Sequence, residues 1–318
     1  MKKTDRIFIA GHNGLVGSSI LELLKKRGFK NLITVNRKKL DLRKFNDVVN
    51  YFKKRKIDYM VMAAARAGGI IANSSNQKEF FLDNIEIQNS LLKLALEKKI
   101  KRTIFLGTSC IYPKFSKTPI SEESLLTGTL EKTNQCYAIA KIAGINLCSS
   151  YNKQYDTDFR SIMPTNLYGP FDNFDFENSH VIPGLIAKIH RAKIKNEEKV
   201  TVWGTGKPLR EFLHVDDLAE ASIFALELDK SVYKENVLEN FSHINIGSGK
   251  EISISDLSKL LCKIIGYKGT LEFDYSKPDG NPRKLLDNTI IKNLGWNSRI
   301  ELEEGLKQTY DWFVSNQD

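Results

Sequence analysis

The sequence has no long apolar run. None of its apolar stretches reaches the roughly 18 residues that a membrane-spanning helix needs. The lysines near the start are followed by the run IFIA, which ends in glycine after four residues and is too short for the core of a signal peptide. We therefore expect a cytoplasmic protein with no membrane partner.

Cysteine is scarce, and it follows no ligand pattern. The four cysteines, Cys110, Cys136, Cys148 and Cys262, form no CxxC pair and have no zinc-type spacing with the five histidines. We expect no metal site, and we expect reduced thiols in a reducing compartment. With 318 residues, 8 prolines and 41% hydrophobic residues, the chain is typical of one large two-lobed globular domain or two ordinary domains.

Positive charge is concentrated near the start of the chain. Residues 1–60 contain 16 Lys/Arg and 5 Asp/Glu, a local charge of +11 against a net charge of +10, so the remaining chain is about neutral. Such a segment can bind nucleic acid or can form solvated helix faces. Aromatic residues do not interleave with the basic clusters as a stacking platform would require. We favour solvated faces with a few cations for a phosphorylated ligand, and we expect no nucleic-acid partner.

The first half of the chain alternates short apolar runs with helical patterns. The runs RIFIAG, LITVN, IDYMVMAAA and TIFLGTS are predicted strands, and the segments after them are predicted helices of a dozen or more residues. This alternation indicates βαβ units around a parallel sheet. Right-handed crossovers then produce a doubly wound α/β fold of the Rossmann type.

The turn between the first strand and the first helix contains three glycines, Gly11, Gly14 and Gly17, in IFIAGHNGLVGSSI. Glycines permit a tight turn, close approach to a pyrophosphate and close helix–strand packing. The helix N-terminus offers unpaired N–H groups to the phosphates. This context predicts dinucleotide binding, and the spacing GxxGxxG resembles the short-chain dehydrogenase/reductase family.

The end of the second predicted strand lacks the acidic residue that NAD sites use for the ribose 2′-hydroxyl. LITVNRKK offers Asn36, Arg37 and Lys38, with no carboxylate before Asp41. Arg37 can instead bind a 2′-phosphate, so we expect NADP(H), although Arg37 can also be an ordinary surface cation. We expect residues 1–165 to form the NADP-binding domain, with a later strand near residues 243–249 returning to it. Residues 166–318 are then mainly a smaller substrate-binding lobe.

Tyr137 and Lys141 lie four residues apart in CYAIAK and share one helix face. A nearby ammonium lowers the pKa of a tyrosine, which can then act as acid or base near neutral pH. A predicted strand ending in Thr108 supplies a hydroxyl for a substrate carbonyl. Glycine turn, strand-end hydroxyl and YxxxK in this order resemble the extended short-chain dehydrogenase/reductases that act on nucleotide sugars.

Seven motifs occur in the order GHNGLVGSSI, GTSCIYPK, YAIAKIAG, MPTNLYGPFDNF, SHVIPGLI, VWGTGKPLREFLHVDD and KPDGNPRKLLD. Together they resemble the GDP-L-fucose synthase family over essentially the whole chain. That family converts GDP-4-keto-6-deoxy-D-mannose to GDP-L-fucose by epimerising C3 and C5 and then reducing the C4 ketone with NADPH. The resemblance therefore implies a bifunctional NADP-dependent epimerase and oxidoreductase.

The resemblance also assigns five catalytic residues. It implies that Cys110 is the base and His180 the acid of epimerisation, and that Thr108 and Tyr137 polarise the C4 carbonyl before Tyr137 protonates O4. Lys141 also holds the nicotinamide ribose. A thiol near cations and a histidine are a reasonable base and acid for the hydrogens beside a ketone. From the residues alone other interpretations stay open, because a lone cysteine is usually a small buried hydrophobe and His180 can simply cap a helix.

Binding residues follow from the same resemblance. The GDP-sugar contacts are two cations for the phosphates, an aromatic wall for the base and a carboxylate for hydroxyls, namely Lys188, Arg210, Trp203 and Asp279. Some family members have arginine where this chain has Asn13, so Arg37 remains the main candidate for the 2′-phosphate. The cofactor residues are Gly11, His12, Asn13, Gly14, Leu15, Val16, Gly17, Arg37, Leu106, Gly107, Thr108, Lys141, Pro164, Thr165, Asn166, Leu167 and His180.

Two rival functions stay open. A related nucleotide-sugar epimerase or reductase, such as one in GDP-colitose synthesis, would share Tyr137 and Lys141 without two epimerisations at Cys110 and His180. A nucleotide-sensing or RNA-binding protein of the same fold would need only the scaffold and the basic segment. Family members are usually homodimers, and EIQNSLLKLALEKK and the CYAIAK helix are the candidate pairing surfaces.

Overall fold

The computed structural model describes residues 1–175, 179–277 and 279–316. Residues 176–178, and Pro278 of the motif KPDGNPRKLLD, lie outside the described residues. The strands are β1 (Arg6–Ala10), β2 (Asn31–Ile33), β3 (Tyr59–Met62), β4 (Arg102–Leu106), β5 (Phe159–Pro164), β6 (Asn166–Tyr168), β7 (Lys199–Trp203), β8 (Leu209–His214), β9 (His243–Ile246), β10 (Glu251–Ser253), β11 (Thr270–Asp274) and β12 (Arg283–Lys284).

The α-helices follow the strands in alternation through the first half of the chain. They are α1 (Leu15–Lys26), α2 (Phe45–Phe52), α3 (Ile70–Ser75), α4 (Gln77–Glu97), α5 (Gln135–Tyr155), α6 (Val181–Lys195), α7 (Val215–Glu227), α8 (Lys230–Asn236), α9 (Ile254–Ile265), α10 (Thr289–Asn293) and α11 (Leu302–Ser315). Short 3-10 helices lie at Ser109–Ile111, Glu122–Ser124 and Lys132–Asn134.

Six parallel strands form the central sheet in the order β2-β1-β3-β4-β5-β9. The predicted doubly wound parallel sheet is therefore confirmed. The chain leaves β1 toward β2 on one side and returns to β3 on the other, so the strand order reverses at β1. Open α/β sheets bind ligands beyond the carboxyl ends of the strands at such a point, which here is the glycine turn.

Alternating side chains give the sheet two apolar faces, as the two-residue period of a strand requires. In β1, Phe8 and Ala10 pack with α2, α4 and α5, whereas Ile7 and Ile9 pack with α1, α7 and α10. All four side chains are fully buried. Burial on both faces explains why these strands are continuous apolar runs in the sequence.

A second lobe is built around β8. This strand pairs with β10 antiparallel and with β6 and β12 parallel, while β7 and β11 form a separate parallel pair. Helices α6, α9 and α11 enclose a third apolar core beside these strands, which includes Tyr168, Ile186, Phe212, Leu257 and Leu306. In this lobe β8 lies beside the segment that leaves the carboxyl end of β5, because Thr165 and Asn166 donate to the Glu211 carbonyl.

The second strand is shorter than LITVN suggested. It ends at Ile33, and Asn36 then forms a turn in which its side-chain oxygen accepts the Lys39 N–H at 3.0 Å. Asparagine stabilises such turns through its own side chain, which competes with the strand ladder. The expected site of the 2′-phosphate is consequently a loop. Within the described ranges, no helix is long and apolar enough to cross a membrane.

Candidate active site

Three loops meet at the carboxyl edge of the large sheet. One follows β1 and contains the glycine turn, one follows β4 and contains Gly107, Thr108 and Cys110, and one follows β5 and contains Thr165. Because the strands are parallel and adjacent, their ends lie at one edge. Cys110 contacts Lys284 of β12 and lies near Arg210 of β8, so the catalytic candidates after β4 and these second-lobe residues border one cleft.

The glycine turn has the geometry of a phosphate cradle. Gly11 has a φ of +85°, and a Cβ at this residue would lie 2.6 Å from the backbone nitrogen of Ala64. A Cβ on Gly17 would overlap the Gly11 carbonyl oxygen. Gly14 is different, because it is exposed and has room for a Cβ, with its nearest neighbour 3.6 Å away. The fold thus requires glycine at 11 and 17, whereas Gly14 leaves open space at the N-terminus of α1.

The side chains around this turn leave that space accessible. Asn13 is exposed, Leu15 and Val16 are half-buried, and His12 has a buried Nδ1 without a hydrogen-bond partner. Burial lowers the pKa of His12 below its usual value. The imidazole is therefore neutral near pH 7 and adds no charge to the cradle.

The loop after β2 fits a phosphate better than a ribose hydroxyl. Arg37 is exposed, and the first carboxylate after it, Asp41, is engaged by Arg43, whose Nη2 lies 2.6 Å from Oδ2. That hydrogen bond holds the pKa of Asp41 at about 2. Arg43 also contacts Asp83 at 2.9 Å, and Arg66 contacts the same carboxylate at 3.1 Å. The acidic groups here are already paired, so Arg37 can bind an added anion.

Tyr137 and Lys141 lie on one face of α5, below the end of β4. The Lys141 ammonium donates to the Leu106 carbonyl at 2.8 Å and lies 5.9 Å from the centre of the Tyr137 ring. Burial lowers the pKa of Lys141 to about 8. The pKa of Tyr137 is raised above its usual value, by burial and then by the nearby Cys110. The expected lowering of the tyrosine pKa is therefore wrong for this structure, because the ammonium is committed to the carbonyl rather than to the phenol.

Thr108 shapes the loop after β4. Its Oγ1 accepts the Cys110 N–H at 3.3 Å and so caps the 3-10 helix Ser109–Ile111. Since a hydroxyl has one proton to donate, the Thr108 O–H remains available to a carbonyl in the cleft. Gly107 lies tightly against Met163 of β5, where a Cβ would overlap the methionine side chain.

Cys110 is half-buried and has polar neighbours, unlike a cysteine that only fills a core. Its Sγ accepts from Asn134 Nδ2 at 3.2 Å and from Lys284 Nζ at 3.6 Å. Tyr137 and Arg210 are also close enough to Cys110 to interact with it electrostatically. Sequence reasoning missed Asn134 and Lys284, although Lys284 belongs to the motif KPDGNPRKLLD. If residues 283–284 had been recognised as a strand, the alternation of its side chains would have placed Lys284 on the opposite face from Arg283.

His180 begins α6 but does not cap it. It occupies the N-cap position with no side-chain hydrogen bond to the helix. His180 is exposed, and desolvation by the protein atoms around it lowers its pKa below the usual value. The alternative interpretation of His180 as a helix cap is therefore not supported by the geometry.

An aromatic ring and cations line the second lobe. The Lys188 ammonium lies 4.3 Å from the centre of the Trp203 ring, and Lys277 lies 5.7 Å from it. Trp203 is 43% exposed, a large fraction for tryptophan. Arg210 donates to the Leu209 carbonyl at 2.9 Å and to the Asp279 carbonyl at 3.3 Å. An exposed ring beside cations is suited to a nucleotide base with attached phosphates.

Asp279 has a contact that the sequence did not predict. Its carboxylate accepts the Thr205 N–H at 2.7 Å and the Thr205 hydroxyl at 2.8 Å. A Cβ on Gly204, whose φ is +83°, would overlap the same carboxylate. Asp279 therefore holds the turn that follows Trp203, in addition to facing the cleft beside Arg210.

The segment after β5 is tied to the second lobe through Glu211. Thr165 and Asn166 both donate to the Glu211 carbonyl, at 3.2 and 2.8 Å. The buried Glu211 carboxylate accepts the backbone N–H of Gly249 at 2.7 Å and of Leu286 at 3.0 Å. Pro164, the last residue of β5, and Leu167, the middle residue of β6, flank this junction. One residue thus fixes the predicted nicotinamide wall relative to the segment that contains Lys284.

The chain is similar to a known protein family and to several known enzymes. The model of the NAD dependent epimerase/dehydratase family matches residues 7–247. The chain is 51% identical over 314 residues to the GDP-L-fucose synthase of Escherichia coli (strain K12), covering 99% of this chain and 98% of the relative. It is 48% identical to GDP-L-fucose synthase 1 of Arabidopsis thaliana, with 99% and 94% covered. It is 36% identical to the GDP-L-colitose synthase of Yersinia pseudotuberculosis, with 98% and 99% covered.

Solved structures share the whole fold. A GDP-6-OMe-4-keto-L-xylo-heptose reductase from Campylobacter jejuni superposes with a TM-score of 0.94 at 36% identity, covering 100% of this chain and 99% of that one. A GDP-L-fucose synthetase from Naegleria fowleri bound to NADP superposes with a TM-score of 0.87 at 29% identity, covering 99% and 96%.

Proposed function

This chain belongs to the NAD dependent epimerase/dehydratase family, and from that premise we propose that it converts GDP-4-keto-6-deoxy-D-mannose to GDP-L-fucose with NADPH. The reaction combines epimerisation at C3 and C5 with reduction of the C4 ketone. One observation carries the proposal. Cys110, a thiol with two polar hydrogen-bond donors on its sulfur, lies close enough to Tyr137 to raise the pKa of the phenol. A simple ketone reductase needs the tyrosine but has no use for such a thiol.

The residues of the first lobe suit NADP(H). The turn at residues 11–17 leaves the N-terminus of α1 open to a pyrophosphate, and the exposed Arg37 is our candidate for the 2′-phosphate. Bound NADPH supplies the hydride that reduces the ketone. Lys141, buried between the Phe105 and Tyr137 rings and the Leu106 carbonyl, supports the position of the phenol.

Reduction at C4 needs an acid in its protonated form. Because burial raises the pKa of Tyr137, the phenol carries its proton at neutral pH and can deliver it to O4. The Thr108 hydroxyl, whose oxygen already accepts from the Cys110 N–H, keeps its own proton for the same carbonyl oxygen. Two donors on one oxygen stabilise the negative charge that develops there.

Epimerisation needs a base and an acid on opposite faces of the sugar ring. Removal of the hydrogen at C3 or C5 leaves an enolate, which the C4 carbonyl delocalises while Thr108 and Tyr137 stabilise its oxygen. Cys110 lies at the sheet edge and His180 at the start of α6 in the second lobe. We assign Cys110 as the base and His180 as the acid that returns a proton to the other face.

Recognition of the GDP group falls to the second lobe. Trp203 provides an exposed ring for the base, and Lys188 and Arg210 provide charge for the two phosphates. Burial lowers the pKa values of both cations, and a bound diphosphate would offset that cost. Asp279 supports this surface through Thr205 and is also available to a ligand hydroxyl.

The test follows the hydrogens that the reaction exchanges. The protein is supplied with GDP-4-keto-6-deoxymannose and NADPH in deuterated water, and the product is examined by NMR. We expect an L-fuco product with deuterium at both C3 and C5, and much slower exchange in Cys110→Ser. Cys136→Ser is the matched control, because Cys136 is next to Tyr137 and its Sγ lies 3.9 Å from Gln77 Oε1. Reduction without exchange, or exchange at one carbon only, would favour another nucleotide-sugar reductase and contradict the proposal.

We also propose that the protein is a homodimer paired through α4 and α5. These helices pack against each other, and their outer surface exposes Leu82 and Ile139, each 40% exposed. Light scattering should report a dimer for the native chain and a monomer for Leu82→Glu. Ile194→Glu on α6 is the control, since Ile194 lies away from α4 and α5 and is already 66% exposed.

We propose the reducing cytoplasm as the compartment of this protein. The four cysteines are unpaired, which suits such a compartment.

A further inference from the structure

Resting on the proposed function, we propose that Lys284 is a positioning residue of the epimerisation. Its ammonium keeps Cys110 in the thiolate form and aims the sulfur into the cleft. The contact is direct, because Lys284 Nζ donates to Cys110 Sγ at 3.6 Å although the two residues are 174 positions apart. A thiol removes a proton from carbon only as the thiolate, and a nearby cation favours that form.

The two neighbouring cations of β12, Arg283 and Lys284, point to opposite faces of the strand. In β12 the Arg283 guanidinium turns outward and binds the Glu251 carboxylate at 2.6 Å. The next side chain points to the opposite face, and Lys284 there reaches the thiol. Among the ion pairs of the described residues, Arg283 has an acidic partner and Lys284 has none. Its charge is therefore not neutralised by a carboxylate, and the thiolate is its natural counter-ion.

The charged groups around Cys110 come from three elements. Lys284 faces it from β12, Arg210 from β8 and Tyr137 from α5, and Asn134 adds a neutral donor at 3.2 Å. Arg210 pairs in register with Lys284, but its guanidinium is engaged by the Leu209 and Asp279 carbonyls. Among the described residues, only Lys284 combines a positive charge with a hydrogen bond to the sulfur.

The backbone around Lys284 is fixed on both sides. Lys284 itself pairs with β8, the Leu285 carbonyl accepts the Ile120 N–H at 2.8 Å, and the Leu286 N–H donates to the buried Glu211 carboxylate at 3.0 Å. The same Glu211 holds Thr165 through its carbonyl. The ammonium is consequently placed by a rigid segment, as a group that must hold a sulfur in one position requires.

The test measures the thiolate without any substrate, so that it stands apart from the proposed reaction. Iodoacetamide alkylation of Cys110 is followed from pH 6 to pH 10 on the tryptic peptide of residues 103–114, in which it is the sole cysteine. Native protein is compared with Lys284→Met, Lys284→Gln and Lys284→Arg. Arg283→Met is the matched control, which removes the same charge one residue away on the opposite face. Alkylation of the fully buried Cys148 reports unfolding.

We expect Lys284→Met and Lys284→Gln to slow alkylation at pH 7 by about tenfold or more, since an adjacent opposite charge shifts such an equilibrium by at least about one pH unit. The midpoint of the profile should move to higher pH, with the native rate recovered there. Lys284→Arg should stay near the native profile, and Arg283→Met should match it. An unchanged Cys110 profile in both neutral variants, with Cys148 still protected, would overturn the inference.

Two further results separate this inference from the proposed function. Deuterium exchange by Lys284→Gln should be slow at pH 7 and should recover at higher pH, which a purely structural defect would not do. If native protein shows no exchange at all, the proposed reaction fails while the alkylation profiles still decide the role of Lys284. If exchange in the variant stays slow at every pH although alkylation recovers, Lys284 is not acting through the thiolate and the inference is wrong.

Discussion

Glu122 is predicted to make stability depend on pH in the range where the enzyme would work. Its side chain is 5% exposed, and its Oε1 accepts the Asn245 N–H at 2.8 Å. The side-chain oxygen of Asn245 in turn accepts from the hydroxyl of Tyr112 at 2.6 Å, and Tyr112 lies two residues after Cys110 in the chain. Burial raises the pKa of Glu122 from 4.5 to about 7, and Asp287 and Glu123 add to that effect.

The sign of the effect follows from proton binding. Between pH 4.5 and about 7 the folded chain keeps a proton on Glu122 that the unfolded chain has lost. Stability therefore falls as the pH rises through this window and is lowest above it. With these two pKa values, the contribution of Glu122 to the free energy of unfolding becomes less favourable by about 2.5 kcal/mol between pH 5 and pH 8.

Glu122→Gln removes this dependence, since an amide does not titrate. Urea unfolding of both proteins, followed by far-UV circular dichroism at pH 5, 6, 7 and 8, should show the variant gaining about 2.5 kcal/mol on the native chain across the series. Glu123→Gln is the matched control, because Glu123 is the exposed neighbour and its removal should leave the pH dependence in place. A free-energy difference between native protein and Glu122→Gln that stays constant with pH would refute the reasoning.

Four further variants are predicted to change the stability or the chemistry of the cleft. Gly17→Ala should lower the free energy of unfolding by about 1–3 kcal/mol in thermal melts, because the new Cβ overlaps the Gly11 backbone. Gly14→Ala should melt like the native chain but bind NADPH more weakly in a fluorescence titration, and equal melting of the two variants would contradict this account. Cys110→Ser should slow exchange at C3 and C5 by about 10²–10⁴-fold in the NMR assay and spare reduction of a ketone already epimerised; equal losses in both steps would contradict its role as base. Asp279→Ala leaves the Thr205 N–H and hydroxyl without their acceptor. It should raise KM for the GDP-sugar about tenfold with little change in kcat. An unchanged KM would contradict the role of Asp279 in holding the turn after Trp203.

The local features of the fold were readable in the sequence. Strands buried on both faces appear as short apolar runs, and the parallel sheet inferred from them is confirmed. Gly17 is required by a contact within the turn itself, and Gly11 by its positive φ, to which a close contact with Ala64 is added. The resemblance to GDP-L-fucose synthases is confirmed by relatives near 50% identity over almost the full chain. These features depend on residues close together in the chain or on motifs that family members share.

The hydrogen-bond partners and pKa values of the site residues were harder to predict from the sequence. Spacing alone suggested that Lys141 would act on Tyr137, but the lysine bonds the Leu106 carbonyl and burial raises the pKa of the tyrosine. A helical spacing of four places two side chains on one face without saying what else competes for them. Asp279 is a similar case, since its carboxylate is held by Thr205, 74 residues away in the chain.

The sequence by itself indicated the parallel sheet, the dinucleotide turn and a candidate set of residues for proton transfer. The tertiary structure alone decided which charges surround each of them. Lys284 reaches Cys110 across 174 residues, and Asn134 reaches it across 24. Periodicity records whether a side chain is buried, because burial repeats along a strand or helix. The charge felt by a thiol depends on distances through space, and only the folded chain sets those distances.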